Sequence, residues 1–204
     1  VHPSYHYLNQ DLSASEFVVF DIETTGGNPE KNGITEICAL IVKDGQVQDE
    51  FYSMVNPGRP IPPIVRKLTG IDNQMVRHAP PIQEVMPRFL EFVGDRILVS
   101  HNTIGDLTFV RYFAKQTAQV KFENFFLCTH LLSDKLLSEA PQKSLTGLAE
   151  YLKLSQGILH RAKADAYLTF ELFKVLLEKL LHQNMLTLLH AIRFQEDWES
   201  ALRL

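Results

Sequence analysis

Apolar residues in the first quarter of the chain follow the patterns of β-strands. Residues 17–20, Phe-Val-Val-Phe, form an uninterrupted β-favouring run, which predicts a buried strand. Residues 34–43 have apolar side chains on both faces and predict a second strand. The dipeptide Asp44-Gly45 is typical of a two-residue hairpin, and residues 46–55 then predict an antiparallel third strand. We therefore expect the first three strands to form a meander.

Beyond this meander, helical spacing of apolar residues dominates. Residues 61–78 predict short helices broken at Gly70, and residues 82–94 predict a longer helix that ends at Gly94. Further strands are predicted at 96–100 and 124–128, and further helices just after Asp106, at 129–137, at 144–151 and at 165–181. Strands that alternate with helices after a meander indicate an α/β fold with a mixed sheet.

The two ends of the chain differ from its centre. Residues 1–16 are mixed and polar, and they predict a short turn or helix capped by Ser13 or Ser15. Residues 182–204 place apolar residues at helical spacing, so they form either a helix that packs on the core or one that docks on a partner. We therefore divide the chain into an N-terminal extension (1–16), a central domain (17–181) and a C-terminal helical extension (182–204).

Composition narrows the class of protein. Lysine and arginine together number 20 against 24 aspartates and glutamates, a net charge of −4, which argues against a protein that coats duplex DNA by charge alone. Cys38 and Cys128 lie in apolar contexts without paired spacing, so we expect two buried reduced thiols in a cytoplasmic protein. No run approaches the roughly 18 apolar residues of a membrane span, and the first residues carry no signal-peptide pattern.

Two acids follow the first predicted strand directly. Asp21 and Glu23 are two residues apart, so on a strand they point to the same face. Two unpaired carboxylates at the end of a buried strand repel each other, and burying them without a partner also costs free energy. A bound cation would relieve both the repulsion and the cost of burial. Gly26 and Gly27 end the strand and let the backbone approach a ligand closely. Alone, such acids are more often part of an ordinary polar turn.

Two more acids and a histidine occupy comparable places. Asp106 comes shortly after the fourth predicted strand, and Asp165 begins the last long helix, five residues after His160. In α/β sheets, functional groups collect at the carboxyl ends of strands. We therefore expect the four carboxylates and His160 to converge on one edge of the sheet. Taken singly, each helix-start acid has an ordinary alternative role, which is to complement the helix dipole.

Three stretches match the motifs of one enzyme family. They are Phe-Asp-Ile-Glu-Thr-Thr-Gly at 20–26, His101-Asn102 with Asp106, and His-Arg-Ala-Lys-Ala-Asp-Ala at 160–166, with weaker matches at 56–58, 68–71 and 79–81. Together they resemble the DEDDh-type 3′→5′ exonucleases of the ribonuclease H-like superfamily. The chain is most similar to the proofreading exonuclease subunits and domains of bacterial replicative DNA polymerases. The resemblance implies a ribonuclease H-like, mixed five-stranded sheet, with a three-stranded antiparallel meander and two parallel strands, and an exonuclease domain at 17–181.

The chain departs from this family at three positions. Gly105 stands where the family has an aromatic residue, so we expect looser packing behind the site. Cys128-Thr129 stands where an Asp-Thr pair is common, but that aspartate is not among the four metal-site acids, so activity is expected to survive. A sister group has tyrosine at the position of Arg161, so the histidine type of the family is indicated.

The resemblance also implies a reaction that uses two divalent cations, Mg²⁺ or Mn²⁺, which prefer oxygen ligands. We assign Asp21 as the ligand that bridges the two ions. Glu23 and Asp165 hold the ion beside the attacking water, and Asp106 holds the ion on the leaving-group side. His160, whose pKa lies naturally near neutrality, is the expected general base.

The predicted substrate contacts surround these acids. Thr24 and the backbone of Thr25 contact the 3′-terminal nucleotide, and Asn102 positions the backbone or the metal site unless it is a loop cap. Arg161, Arg66 and Lys67 are candidate phosphate contacts, with plain surface as the alternative.

The predicted function is release of nucleoside 5′-monophosphates from the 3′ ends of single-stranded DNA, in replication proofreading or repair. One alternative keeps the chemistry and changes the substrate to short RNA. The choice between DNA and RNA depends on whether the site tolerates the 2′-hydroxyl. Another is a non-catalytic binding subunit that accompanies a DNA polymerase or a helicase. The complete set of acids argues against this last alternative. No membrane partner is expected.

Overall fold

The computed structural model describes residues 8–155 and 160–195. Loop residues 156–159, residues 1–7 of the predicted N-terminal extension and residues 196–204 of the C-terminal one lie outside the described residues. The strands are β1 (Phe17–Thr24), β2 (Ile34–Lys43), β3 (Gln46–Met54), β4 (Ile97–Ser100) and β5 (Phe126–Cys128). The helices are α1 (Pro63–Thr69), α2 (Asn73–Val76), α3 (Ile82–Val93), α4 (Thr103–Ala118), α5 (Thr129–Leu136), α6 (Leu145–Leu152), α7 (Ala162–His182) and α8 (Leu188–Gln195).

The five strands form one mixed sheet in the order β3-β2-β1-β4-β5. β1, β2 and β3 pair antiparallel, whereas β4 pairs parallel with β1 on one side and with β5 on the other. The hairpin between β2 and β3 turns at Asp44 and Gly45, whose φ angles of 51° and 69° suit a two-residue turn. The predicted mixed sheet, with a meander and two parallel strands, is confirmed.

Helices cover both faces of the sheet, because apolar residues of the central strands point to both sides. On β2, Leu40 and Val42 lie in the apolar cluster that α5, α6, α7 and α8 complete. Ile37, on the opposite face, lies in the cluster that α3 and α4 complete. The result is a three-layer α/β/α arrangement. Cys38 and Cys128 are buried and free, as predicted.

The open edge of β5 is covered by a side chain. Gln195, at the end of α8, accepts a hydrogen bond from the Cys128 N–H at 2.8 Å and donates one to the Phe126 carbonyl at 3.0 Å. Its amide makes the contacts that a neighbouring strand would otherwise make. Leu188 and Ala191 of the same helix are fully buried. Of the two alternatives for this segment, packing on the core is the one that residues 188–195 adopt.

The residues before β1 are tied to the same region. Leu12 is buried, and its N–H bonds to a carbonyl between α7 and α8 at 2.9 Å. The short 3-10 helix at Leu12–Ala14 is capped by Asp11, whose carboxylate accepts from the Ser13 N–H at 2.8 Å. The prediction that Ser13 or Ser15 caps this turn is wrong. A capping side chain must precede the first turn, and Asp11 holds that position.

The segment after the meander forms two short helices, as predicted. α1 ends at Gly70, whose φ is 70°, and α2 begins three residues later. Ile61, Ile71 and Val76 form a small apolar cluster of their own beneath these helices. Neither these helices nor any other in the described part of the chain is long and apolar enough to cross a bilayer.

Candidate active site

β1 carries two acids past its parallel neighbour. Residues 17–19 pair with β4, whereas residues 17–24 pair with β2, so the second half of β1 extends beyond the carboxyl end of β4. Asp21 and Glu23 lie in this second half. Alternation along the strand places them on the face of Phe17 and Val19, which is the α7 face of the sheet.

Asp165 reaches the same place from the first turn of α7. Ligand oxygens of Asp21, Glu23 and Asp165 lie within 4.8 Å of one another. The Asp165 Oδ2 also accepts a hydrogen bond from the His160 N–H at 3.1 Å. His160 itself has a positive φ of 59°, so the chain turns sharply just before the helix. Three of the four predicted carboxylates therefore meet at one point.

Asp106 approaches from the opposite face, in the first turn of α4. Asp106 lies outside the group of three. Of the acids around Asp21, however, Asp106 is the one whose charge raises the pKa of Asp21 most. Its Oδ2 is buried without a hydrogen-bond partner in the described part of the chain. Burial, opposed by the nearby Ser100 hydroxyl and aided by the charge of Glu23, raises the pKa of Asp106 to about 8. An orphaned carboxylate oxygen next to three more acids is a typical feature of a cation site.

The pKa values of all four acids are raised, and for Asp21, Glu23 and Asp106 the charge of another acid of the group contributes. Burial comes first for each: it raises the pKa of Glu23 to about 7, with added repulsion from Asp165. Burial and the charges of Asp106, Glu23 and Asp165 raise the pKa of Asp21 well above its usual range. The pKa of Asp165 is raised by burial as well. A set of only oxygen donors with this charge fits Mg²⁺ or Mn²⁺.

A cleft opens beside the acids. It is lined by Asp21, His101, Ser144, Leu145, Thr146, His160 and Asp165. His101 fixes the wall that residues 144–146 form, because its Nε2 contacts the Lys143 carbonyl at 3.0 Å and its Nδ1 contacts the Thr129 Oγ1 at 2.9 Å. Burial lowers the pKa of His101 to about 4. A neutral ring therefore donates from Nε2 and accepts at Nδ1.

The predicted nucleotide contacts Thr24 and Thr25 are at the end of β1. The Thr24 hydroxyl donates to the Gly26 carbonyl at 3.0 Å, and Thr25 is buried, with its hydroxyl accepting from the Gly33 N–H at 3.0 Å. A Cβ on Gly26, where φ is 155°, would lie 2.6 Å from the Asn32 Oδ1, so only glycine fits this turn. The loop is thus braced by its own side chains.

Asn102 and Gly105 lie at the start of α4. Asn102 has left-handed φ and ψ of 62° and 48°, a conformation that asparagine tolerates in turns, and its side chain makes no capping bond. Gly105 is exposed, and a Cβ there would meet nothing within 4 Å. The expectation of looser packing behind the site is wrong, because a larger side chain at this position would stand over the surface.

The three candidate phosphate contacts are placed differently. Arg161 pairs with Glu36 on β2, with its Nη2 2.7 Å from Oε1. Arg66 and Lys67 are exposed on α1, outside the group of acids and outside the cleft lining. Sequence reasoning missed Glu36. The available signal was one acid among the otherwise apolar positions of a central strand.

Comparisons with known proteins agree with this geometry. A family model described as an exonuclease, RNase T, matches residues 18–173. DNA polymerase III subunit epsilon of Aquifex aeolicus is 40% identical over 173 residues, which cover 85% of this chain and 86% of that protein. The chain belongs to the RNase T exonuclease family. The predicted family is thereby confirmed, and with it the prediction of a hydrolytic nuclease.

Other proteins that are similar to this chain are larger or more distant. A PolC-type DNA polymerase III of Caldanaerobacter subterraneus is 44% identical over 165 residues, which cover 81% of this chain but only 12% of that protein. A solved structure of exonuclease X in complex with 5′ overhanging duplex DNA is 24% identical, with a TM-score of 0.69 over 88% of this chain and 99% of that one. That likeness shows a shared fold.

Proposed function

We propose that this exonuclease removes nucleoside 5′-monophosphates from the 3′ end of single-stranded DNA, in replication proofreading or repair. The group of three carboxylates carries the proposal, because oxygens of Asp21, Glu23 and Asp165 lie within 4.8 Å of one another. The orphaned Oδ2 of Asp106 supports a second ligand position. Similarity to a DNA polymerase III epsilon subunit supports DNA as substrate and a replicative polymerase as partner.

The four acids would hold two Mg²⁺ or Mn²⁺ ions. When bound, such ions stabilise the attacking and leaving oxygens of an in-line displacement. Asp21 is the proposed bridging ligand, and its placement supports that role, since the charges of Asp106, Glu23 and Asp165 all act on its pKa. Glu23 and Asp165 complete one position, and Asp106 serves the other.

His160 is the proposed general base. It borders the cleft together with Asp21 and Asp165. It accepts the proton of the attacking water while the water oxygen bonds to the phosphorus of the last phosphodiester. The bond from that phosphorus to the 3′ oxygen of the preceding nucleotide breaks, and solvent protonates this oxygen. The products are a nucleoside 5′-monophosphate and a strand one nucleotide shorter.

The residues around the acids would hold the terminal nucleotide. Thr24, the Thr25 backbone and Asn102 border the end of β1 or the start of α4, next to the carboxylates. A phosphate contact by Arg161 would compete with its pairing to Glu36, because two of its nitrogens already bond that carboxylate.

The decisive experiment follows a 5′-labelled single-stranded oligonucleotide with the protein and Mn²⁺. We expect a ladder that shortens from the 3′ end, nucleoside 5′-monophosphates by mass spectrometry, and no cleavage in EDTA. A substrate with phosphorothioate linkages at its 3′ end is the matched control and should be cut slowly. Cleavage from the 5′ end, or none by folded protein with Mn²⁺, would contradict the proposal.

Two comparisons refine the substrate and the partner. RNA of the same sequence tests the alternative substrate, and faster cleavage of RNA would replace DNA in the proposal. A polymerase or helicase partner is tested by co-purification of the whole chain and of a chain cut after Gln195. Cutting earlier would remove Leu188 and Ala191 from the core and so confuse lost binding with lost folding.

A further inference from the structure

Glu36 is a buried carboxylate outside the group of acids. Its side chain is 0% exposed. Its Oε1 accepts from the Arg161 Nη2 at 2.7 Å and from the Tyr52 hydroxyl at 2.7 Å. Its Oε2 accepts from the Arg161 Nε at 3.0 Å and from the Ala162 N–H at 2.8 Å. Both oxygens are therefore saturated by donors, one of which carries a full charge.

These donors are at the very start of α7. Arg161 is the N-cap residue of that helix, but its side chain makes no capping bond, and Ala162 is the first helical residue. The first N–H groups of a helix have no partner within the helix. Glu36 supplies that partner from β2, with a negative charge at the positive end of the helix dipole. A strand thus caps the helix that carries the third motif.

The same junction fixes the catalytic residues on either side. His160 directly precedes Arg161, and the Asp165 N–H bonds to the Arg161 carbonyl at 2.9 Å, one turn further on. Across the sheet, Glu23 on β1 is the register partner of Glu36 on β2. The carboxylate that holds the start of α7 therefore lies beside a proposed metal ligand. Sites of this kind need their groups placed to within about 0.5 Å.

Arg161 also offsets a charge conflict. Two glutamates directly opposite each other on paired strands repel. The guanidinium binds Glu36 at 2.7 Å, so it neutralises one of the two facing charges. Removing Arg161 would add the uncompensated charge of Glu36 to a region that is already crowded with acids.

We propose that Glu36, acting through Arg161 and the Ala162 amide, is a positioning residue that holds His160 and Asp165 in place opposite Asp21 and Glu23. The inference rests on the proposed function of these four residues. It also gives Arg161 a role other than phosphate binding, because the guanidinium connects β2 to the start of α7.

The chain offers a matched control on the same helix. Glu50 on β3 accepts from the Lys163 Nζ at 2.7 Å and from the Tyr167 hydroxyl at 2.9 Å. This junction also ties the meander to α7 through an acid, a base and a tyrosine. It is exposed, with side-chain exposures of 52% for Lys163 and 27% for Glu50, and it bonds no backbone amide of the helix start.

The test compares Glu36→Gln and Arg161→Lys with the control Glu50→Gln. For each variant, kcat and KM on single-stranded DNA, the Mn²⁺ dissociation constant by calorimetry, and Tm are measured, with assays run well below every Tm. We expect Glu36→Gln to lower kcat or weaken Mn²⁺ binding by about 10–100-fold, the range for groups that orient metal ligands. Its KM should stay within about twofold, and Glu50→Gln should change neither constant by more than about twofold.

Three other outcomes would overturn the inference, each in a distinct way. A lower Tm with kcat and Mn²⁺ affinity preserved would make Glu36 merely structural. If Arg161→Lys raises KM and flattens the salt dependence while Glu36→Gln does not, Arg161 contacts phosphate directly. If Glu36→Gln does not fold, Arg161→Lys carries the same test through the kcat and Mn²⁺ measurements. Wild-type protein that neither binds Mn²⁺ nor cleaves DNA would overturn the proposed function and this inference with it.

Discussion

Two kinds of buried carboxylate face each other across β1 and β2. Glu36 has a guanidinium, a backbone amide and a phenol around its two oxygens. Glu23 lies directly opposite, with Asp21 and Asp165 nearby and Asp106 beside them. In the described part of the chain, no lysine or arginine forms an ion pair with any of these four acids.

This difference separates an acid with a structural role from the proposed metal ligands. A buried charge is tolerated when donors neutralise it, as they do for Glu36. In the described part of the chain no charged donor binds the group of four, although Asp165 accepts from the His160 N–H. All four pKa values are raised, and the Asp106 Oδ2 is orphaned. Perturbed acids without a partner are typical of functional sites. A divalent cation would neutralise the charge of this group, as the Arg161 guanidinium neutralises the charge of Glu36.

The largest effect is expected from Asp21→Asn. Activity should fall by about 10³-fold or more, because the proposed bridging ligand is lost from a site that would act by charge stabilisation. The metal-free variant should nevertheless be more stable than wild type near pH 8, since one of the repelling charges is gone. Single-turnover cleavage and Tm in EDTA measure the two effects. Asp49→Asn, at an exposed position, is the control and should change neither activity nor Tm. A lower Tm for Asp21→Asn would show that Asp21, like Glu36, is stabilised by partners in the metal-free protein.

Glu36→Gln should have the opposite effect on stability. Breaking a buried pair leaves the remaining partner without compensation, and we expect a loss of about 3 kcal/mol in the free energy of unfolding. That corresponds to a Tm lower by roughly 6–12 °C in a domain of this size. Thermal denaturation in EDTA checks the value. An unchanged Tm would mean that Glu36 is no better paired than the acids opposite.

The pH dependence of the metal-free protein is the next effect in size. The folded-state pKa values of Glu23, about 7, and Asp106, about 8, lie above their ordinary values of 4.5 and 3.8. The folded protein therefore binds more protons than the unfolded chain between these limits, and its stability falls as pH rises through them. Tm in EDTA should drop between about pH 5 and pH 8. Mn²⁺ should raise Tm more at pH 8 than at pH 5. An equal rise at both pH values would contradict the proposal that these acids bind the cation.

The exposed junction should show the smallest effect. Lys163→Met removes the ion pair with Glu50, whose members both contact solvent. Exposed pairs contribute about 0.2–1 kcal/mol, so Tm should move by no more than roughly 4 °C. Cleavage rates should stay at the wild-type level. A loss as large as that of Glu36→Gln would show that burial does not decide the difference between the two junctions.

Several features of the site could be predicted from sequence because they depend on local order. Alternation on a strand places Asp21 and Glu23 on one face, and the start of a helix after a strand brings Asp106 to the sheet edge. Helix and strand periods likewise predicted the meander and a mixed sheet, and the family resemblance added the two parallel strands. The cap of the first turn was misassigned to serines, because Asp11 caps from just before it.

Only the folded chain decided which acids are neutralised. Glu36 and Arg161 are far apart in the sequence, and nothing in their local patterns indicates that β2 supplies the cap of α7. The same holds for His101, whose neutrality follows from burial against Thr129 and the Lys143 carbonyl. Periodicity is a property of neighbouring residues, whereas the partner of a buried charge is set by tertiary packing. The sequence therefore determined where the acids gather, and the tertiary structure determined which of them have no charged partner in the described part of the chain.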